Sequence, residues 1–176
     1  MLYTRSGDSG SSNLWGNRLP KSSLIFEALG ALDELNSFIG LAVASINDEE
    51  IKKQLIWVQQ KLFIIQAEVS GARGELKKEF SSQETLKLEQ YIDKLEEEIG
   101  QLKHFVLPGG IKEAALFDVI RTVARRAERS LVELNQQSQI NPAVLTYINR
   151  LSSLFFALAR VINKRAGIKE QKPTYE

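Results

Sequence analysis

The sequence predicts an all-α fold, a bundle of five helices, and three observations carry that reading. Apolar residues recur at spacings of three and four along five segments, no stretch keeps the two-residue alternation of a half-buried strand, and the connections are short enough for neighbouring helices to run antiparallel. No internal repeat interrupts this plan. A chain of 176 residues can bury about two-thirds of its unfolded surface in one core, so a single domain over 1–176 is expected.

Residues 1–22 are rich in Gly and Ser, follow neither period and carry Gly7, Gly10 and Gly16. They are expected to form an orderable loop, ahead of a helical bundle over 23–168 and a polar tail over 169–176. The first helix opens after Ser22 and Ser23, turns Leu32, Leu35, Ile39, Ala42 and Val43 inward, and ends near Asn47. Asn47 and Glu50 have the spacing of a cap and its reciprocal partner. They open a second helix whose Ile51, Leu55, Val58, Leu62, Ile65 and Val69 form a bundle seam, stopped by Gly71 and Gly74. Ser81 and Glu84 repeat the capping pattern before a third helix bearing Leu88, Tyr91, Leu95, Ile99 and Leu102. Pro108, Gly109 and Gly110 break helicity, and a fourth helix runs from about Ile111 to Gln136. Asn141 and Pro142 supply a cap and a first-turn proline for a fifth helix that stops at Gly167.

Composition narrows the chemistry. Lys and Arg total 23 against 22 Asp and Glu, a formal charge of +1, so the molecule offers nucleic acid or acidic lipid no strong overall field. With no cysteine there is no disulfide framework, thiolate metal site, iron–sulfur ligation or cysteine nucleophile. His104 is the single histidine, which excludes a histidine-rich metal centre. The Glu-x-x-His motif of di-iron bundles is also absent, because Gln101 stands three residues before His104. No apolar run reaches the roughly 18 to 20 residues of a membrane span, and the opening stretch from Met1 to Gly7 has no hydrophobic signal core. A cytoplasmic protein without membrane or nucleic-acid partners is the expectation.

Four sets of residues carry candidate chemistry. On the fourth helix, at about 100° per residue, Leu116, Val119, Ile120, Val123, Ala127, Leu131 and Leu134 share the core side. Arg121, Arg125 and Glu128 cluster nearly opposite, with Arg126 and Arg129 beside them. That face is either a solvated surface or an anion site, and the use of Arg where other solvent faces use Lys favours a planar fork for carboxylate or phosphate. On the fifth helix Leu151, Leu154, Phe155, Leu158 and Ile162 form the core side, leaving Asn149, Ser153, Phe156 and Arg160 in one stripe. Phe156 is there either covered by the N-terminal loop or another subunit, or it walls a pocket for a large planar ligand. On the first helix Gly30, Asp33, Ser37 and Gly40 share a stripe, and each mid-helix glycine costs about 1 kcal/mol relative to alanine. Tight packing, a subunit interface, or an ion pair from Asp33 to an arginine at a ligand pocket would each account for it. The run from Tyr3 to Ser12 offers amides, hydroxyls and the cation of Arg5, the materials of an anion nest, without the spacing of the usual phosphate loop.

Taken in order, Tyr3-Thr4-Arg5-Ser6-Gly7-Asp8-Ser9-Gly10, Leu32-Asp33-Glu34-Leu35-Asn36, Phe105-Val106-Leu107-Pro108-Gly109-Gly110, Arg121 to Arg129 and Asn149-Arg150-Leu151-Ser152 resemble the PduO-type ATP:cob(I)alamin adenosyltransferases over nearly the whole chain. The resemblance implies a five-helix, ferritin-like bundle assembling as a homotrimer with active sites between subunits. It implies transfer of the 5′-deoxyadenosyl group of Mg-ATP to the cobalt of a reduced corrinoid, with Mg held mainly through ATP and triphosphate released. Thr4, Arg5, Ser6, Gly7, Ser12, Asn13 and Lys21 would form the nucleotide loop, and Arg125, Arg126, Glu128, Arg129 and Asn149 would complete that site. Asp33 and Arg121 would pair across the interface on the corrinoid side, where Phe105 and Phe156 would supply an apolar wall. A reductase and an adenosylcobalamin-dependent acceptor enzyme would be further partners.

Such an activity fits a chain poor in histidine. Cob(I)alamin is itself a strong nucleophile, so attack at C5′ needs no protein base, and cations that stabilise the departing triphosphate do the electrostatic work. The sequence departs from the family's common pattern at Ser9 (commonly Lys), Asp118 (commonly His) and Ser153 (commonly Asp). These departures leave a second expectation open, a nucleotide- or corrinoid-binding adaptor or carrier that binds without turnover.

Overall fold

Two short strands, β1 (Ser11–Leu14) and β2 (Asn17–Pro20), precede five helices: α1 (Leu24–Ser45), α2 (Glu49–Ser70), α3 (Ser82–Ile99), α4 (Lys112–Asn135) and α5 (Pro142–Arg165). The computed structural model describes residues 3–72, 79–102 and 104–175. Helix α5 packs on both α3 and α4, α4 packs also on α1, and α1 on α2. The centre of the bundle is α5, which is why its sequence is apolar on most sides and keeps small residues, Ala157 and Ala159, where neighbours come close. By length and composition α5 would also suffice to cross a bilayer, yet here its apolar sides serve the core. Phe117 of α4 stacks on Phe155 of α5 with ring centroids 6.3 Å apart, and Tyr147 meets Trp57 and Phe80 edge-on. Burial pushes the Tyr147 hydroxyl well above its usual pKa, so it stays protonated.

Local chemistry explains the helix ends and corrects several expectations. The cap of α2 is Asp48, not Asn47: its carboxylate accepts from the amides of Glu50 at 2.9 Å and Ile51 at 3.0 Å. A cap oxygen has to sit one residue before the first helical position to reach these amides, and a carboxylate also complements the helix dipole, together worth about 1 kcal/mol. Ser81 does cap α3, accepting from Gln83 N at 3.3 Å, but Glu84 does not close the box. It pairs instead with Lys61 at 3.0 Å and Lys87 at 3.5 Å. Helix α3 stops at Gly100, whose φ of 76° ends the helical path, so Leu102 lies beyond it. Gly71, at φ 85°, stops α2, and Gly74 lies outside the described residues.

The N-terminal segment contains strand pairing that the sequence did not announce. Ser11 to Leu14 pair antiparallel with Asn17 to Pro20, joined by Trp15 and Gly16, both with positive φ (49° and 86°). That is the two-residue hairpin turn whose twist suits paired strands. The indole N–H of Trp15 donates to the Ser70 hydroxyl at 3.0 Å, tying the hairpin to the end of α2.

Within α4, Ile120, Val123, Ala127, Leu131 and Leu134 are buried as expected. Val119 is 45% exposed, and Phe117 and Ala124 take the inner positions instead. Helix α4 is clasped between α1 and α5, which rotates its buried stripe away from Val119.

Candidate active site

Three hollows run in sequence along the outer side of α4 and α5. The first, about 520 Å³, is lined by Arg125, Glu128, Arg129 and Gln136 of the α4 side with Asn149 of α5. A second, about 640 Å³, shares Arg125 and continues over Arg121, Ser152, Ser153 and Phe156 to the end of α3. The third, about 810 Å³, shares Arg121 and Phe156 and is closed by His104, Phe105 and the tail residues Lys172, Pro173 and Tyr175. Arg121 and Arg125, one helical turn apart, therefore connect a polar, cationic end to an aromatic one.

At the cationic end the side chains are ordered by one another. Asn149 donates to Glu128 Oε1 at 2.6 Å and accepts from Arg150 at 2.7 Å, while Arg129 donates to the carbonyl of Arg125 at 3.1 Å. Arg126 turns toward α1 and pairs with Glu34. The Arg125 guanidinium forms no ion pair among the described residues, leaving its planar set of donors at the junction of two hollows.

At the aromatic end Phe105 is 81% exposed on the loop before α4, and Phe156 is half-buried on α5. Arg160 does not share the open stripe expected for it. The residue is only 2% exposed, and its guanidinium lies 5.3 Å from the Phe156 ring centroid, donating to Asp118 Oδ2 at 2.7 Å. The burial follows from spacing: Arg160 falls one turn after Phe156 where α5 meets α4, and Asp118 supplies the counter-charge there. Asp118 Oδ1 is also 3.9 Å from Arg121 Nε. A signal was present in the sequence, since Asp118 and Arg160 each interrupt an otherwise apolar run, and charges in such places are buried in pairs.

The N-terminal candidates form a loop of their own. Thr4 and Ser6 share a hydroxyl contact of 2.7 Å, and the Lys21 amide donates to Gly10 O at 2.9 Å. The Lys21 ammonium sits over Gly7, so a side chain at Gly7 would crowd it. Arg5 adopts a left-handed φ of 61° beside the Tyr3 ring. Arg18, opposite Asn13 in the hairpin, donates to Ser6 O at 2.7 Å and Ser9 Oγ at 3.1 Å, so a cation reaches position 9 although the residue there is serine. Ser12 sits opposite Leu19 in the same hairpin.

The chain brings Arg121, Arg125, Glu128, Arg129, Asn149, Phe105 and Phe156 into one continuous surface. It does not bring Thr4, Arg5, Ser6, Gly7, Ser12, Asn13 or Lys21 to that surface, for none of them lines a hollow there. Asp33 is exposed on α1 and pairs with no cation among the described residues; Arg121 faces Asp118 within the chain. The stripe containing Gly30, Asp33 and Ser37 is open, and only Gly40 has a close neighbour, the amide of Gln59. No group of three His, Asp or Glu side chains able to hold a metal ion occurs among the described residues.

Residues 2–162 match the family model described as cobalamin adenosyltransferase. The chain is 42% identical over 171 residues to a corrinoid adenosyltransferase of Bacillus subtilis, covering 95% of this chain and 89% of that one. It is 40% identical over 168 residues to a cobalamin adenosyltransferase of Cupriavidus metallidurans, covering 94% and 90%. Its fold superposes with a TM-score of 0.91 on a phenylalanine-to-alanine variant of the PduO-type ATP:corrinoid adenosyltransferase of Lactobacillus reuteri, complexed with cobalamin and ATP. That pair is 35% identical and covers 98% of this chain and 99% of the other. A helical bundle with arginines joining a cationic hollow to an aromatic one thus carries a family signature along nearly its whole length: the chain belongs to the cobalamin adenosyltransferase family.

Proposed function

We propose that this chain is an ATP:corrinoid adenosyltransferase that moves the 5′-deoxyadenosyl group of Mg-ATP onto cob(I)alamin. The observation that carries the reading is the junction at Arg121 and Arg125, where a hollow suited to a polyphosphate meets one suited to a flat macrocycle. The cobalt lone pair of Co(I) attacks C5′, a Co–C bond forms, and the C5′–O bond breaks with its electron pair leaving on triphosphate. Arg125, with Arg129 and the N-terminal loop, stabilises the charge gathering on that leaving group, and Mg arrives with the nucleotide. Phe105 and Phe156 form the dry wall beside the macrocycle, excluding a lower ligand from cobalt so that Co(II) is more readily reduced by a one-electron donor.

The active unit is a homotrimer whose sites lie between subunits. Two features support this: the loop at Thr4 to Lys21 lines no part of the arginine hollow within one chain, and the exposed α1 stripe sets the small residues Gly30 and Ser37 and the apolar Leu41 beside Asp33, a carboxylate with no cation partner among the described residues. A second copy that covers this stripe brings its loop to the hollow and offers Asp33 to Arg121. A cytoplasmic reductase and an adenosylcobalamin-dependent enzyme complete the setting.

Anaerobic incubation with Mg-ATP and chemically reduced cobalamin tests the reading. Appearance of the adenosyl–cobalt spectrum with one triphosphate per product is expected, and tight binding of both compounds without product would assign the chain to the carrier alternative.

A further inference from the structure

Beside the aromatic hollow lies a buried polar knot whose side chains, Asp118, Arg160, Asn163 and Glu170, do not themselves line it. Asp118 Oδ2 accepts from Arg160 at 2.7 Å and from the amide of Gly109 at 2.9 Å. Arg160 Nη1 is also 3.0 Å from Glu170 of the tail. Asn163, 1% exposed, donates to Gly109 O at 2.8 Å and to Glu170 at 3.0 Å, and accepts from the amide of Ile111 at 3.2 Å. Gly110, at φ 104°, faces the Asn163 amide so closely that a β-carbon there would collide with it. The tail is fastened a second time, by the Leu107 amide donating to Gln171 O at 2.8 Å.

Most walls of the 810 Å³ hollow adjoin this knot. Phe156 lies against the Arg160 guanidinium, Arg121 flanks Asp118, Phe105 rides on the loop pinned at Gly109, and Lys172 to Tyr175 follow Glu170. A buried ion pair is weak evidence for stability as such, because desolvation offsets most of its attraction. Its geometric effect is larger: planar guanidinium and carboxylate, fully enclosed, hold four separate segments at fixed distances.

We propose that Asp118, Arg160 and Asn163 are positioning residues that set the shape of the corrinoid hollow and leave nucleotide handling untouched. This rests on the adenosyltransferase reading above. The arrangement acts as the second layer around the ring-binding surface, and loosening such a layer costs about tenfold to a hundredfold in the affinity it supports.

The test compares wild type, Arg160→Lys and Glu170→Gln in steady-state kinetics with reduced cobalamin and Mg-ATP, alongside amide hydrogen exchange of the unliganded proteins. Lysine keeps the charge but cannot span Asp118 and Glu170 together; Glu170 is at the edge of the knot, so its variant folds even where the first is too damaged. Faster exchange over 104–111, with the corrinoid KM raised about tenfold or more and the ATP KM within about twofold of wild type, is the expected result. Equal losses toward both substrates, unchanged corrinoid kinetics, or unchanged exchange in both variants would overturn the positioning role. A wild-type protein that forms no adenosyl product overturns the parent reading itself, and the proposal falls with it.

Discussion

Arg125 and Arg160 carry the same guanidinium into opposite surroundings. Arg125 lies on the open side of α4 with water and two hollows around it; Arg160 is enclosed, with Asp118 and Glu170 as its counter-charges. The exposed group costs the fold little and is available to bind. The enclosed one is unavailable to a substrate but fixes the parts around it. Residue type alone therefore does not assign a role here. What separates the two is which side of its helix each occupies and whether a carboxylate waits there.

Removing the enclosed partner should have the largest effect on folding. Asp118→Ala leaves a buried guanidinium with only Glu170, at 3.0 Å, to offset its charge and is expected to destabilise the protein by about 3 kcal/mol, read from denaturant unfolding. A loss below about 1 kcal/mol would mean that water or Glu170 compensates, and the contrast with Arg125 would weaken. On the open side the expectation reverses. Arg125→Ala should lower turnover by about 100-fold to 1000-fold while Tm stays near that of wild type; near-normal kinetics would remove it from the leaving-group site.

Phe156→Ala sharpens the comparison, since the ring bridges the two regions. It should reduce use of Co(II) with a reductant by about tenfold while sparing preformed Co(I) far more, because only the first route depends on excluding a lower ligand. Equal loss on both routes would leave Phe156 as a packing residue. The smallest effect is electrostatic and remote. Arg165 donates to both carboxylate oxygens of Glu98 at 2.7 Å, and this hydrogen bonding holds the Glu98 carboxyl below its usual pKa against the opposing influence of burial. A lowered folded-state value stabilises above the unfolded carboxylate pKa, and that contribution disappears as pH falls through the carboxylate range. Glu98→Gln should flatten the acid side of the stability profile slightly, and an unchanged profile would show the pair to be fully screened.

The helical plan was readable because periodicity speaks for long segments, and all five helices begin and end within a few residues of the expected places. The hairpin was not, since its strands are four residues each, mostly polar, and pinned by a turn at Trp15 and by contact with Ser70. Arg121, Arg125 and Phe156 stood out by being charged or aromatic on the wrong side of a stripe, and they line neighbouring hollows. The knot is not legible in the sequence because its members come from a glycine loop, α4, α5 and the tail, spread over 109 to 170. By sequence Asp118 is a departure from the family pattern and Arg160 a member of an open stripe, and only tertiary packing joins them to Asn163 and Glu170.

Crystals of the protein grown with Mg-ATP and a corrinoid would test the central claim most directly. The triphosphate should lie against Arg125 and Arg129 of one subunit and the Thr4–Lys21 loop of another, with the macrocycle beside Phe105 and Phe156. Arginines left in bulk solvent, with both compounds bound elsewhere, would contradict it.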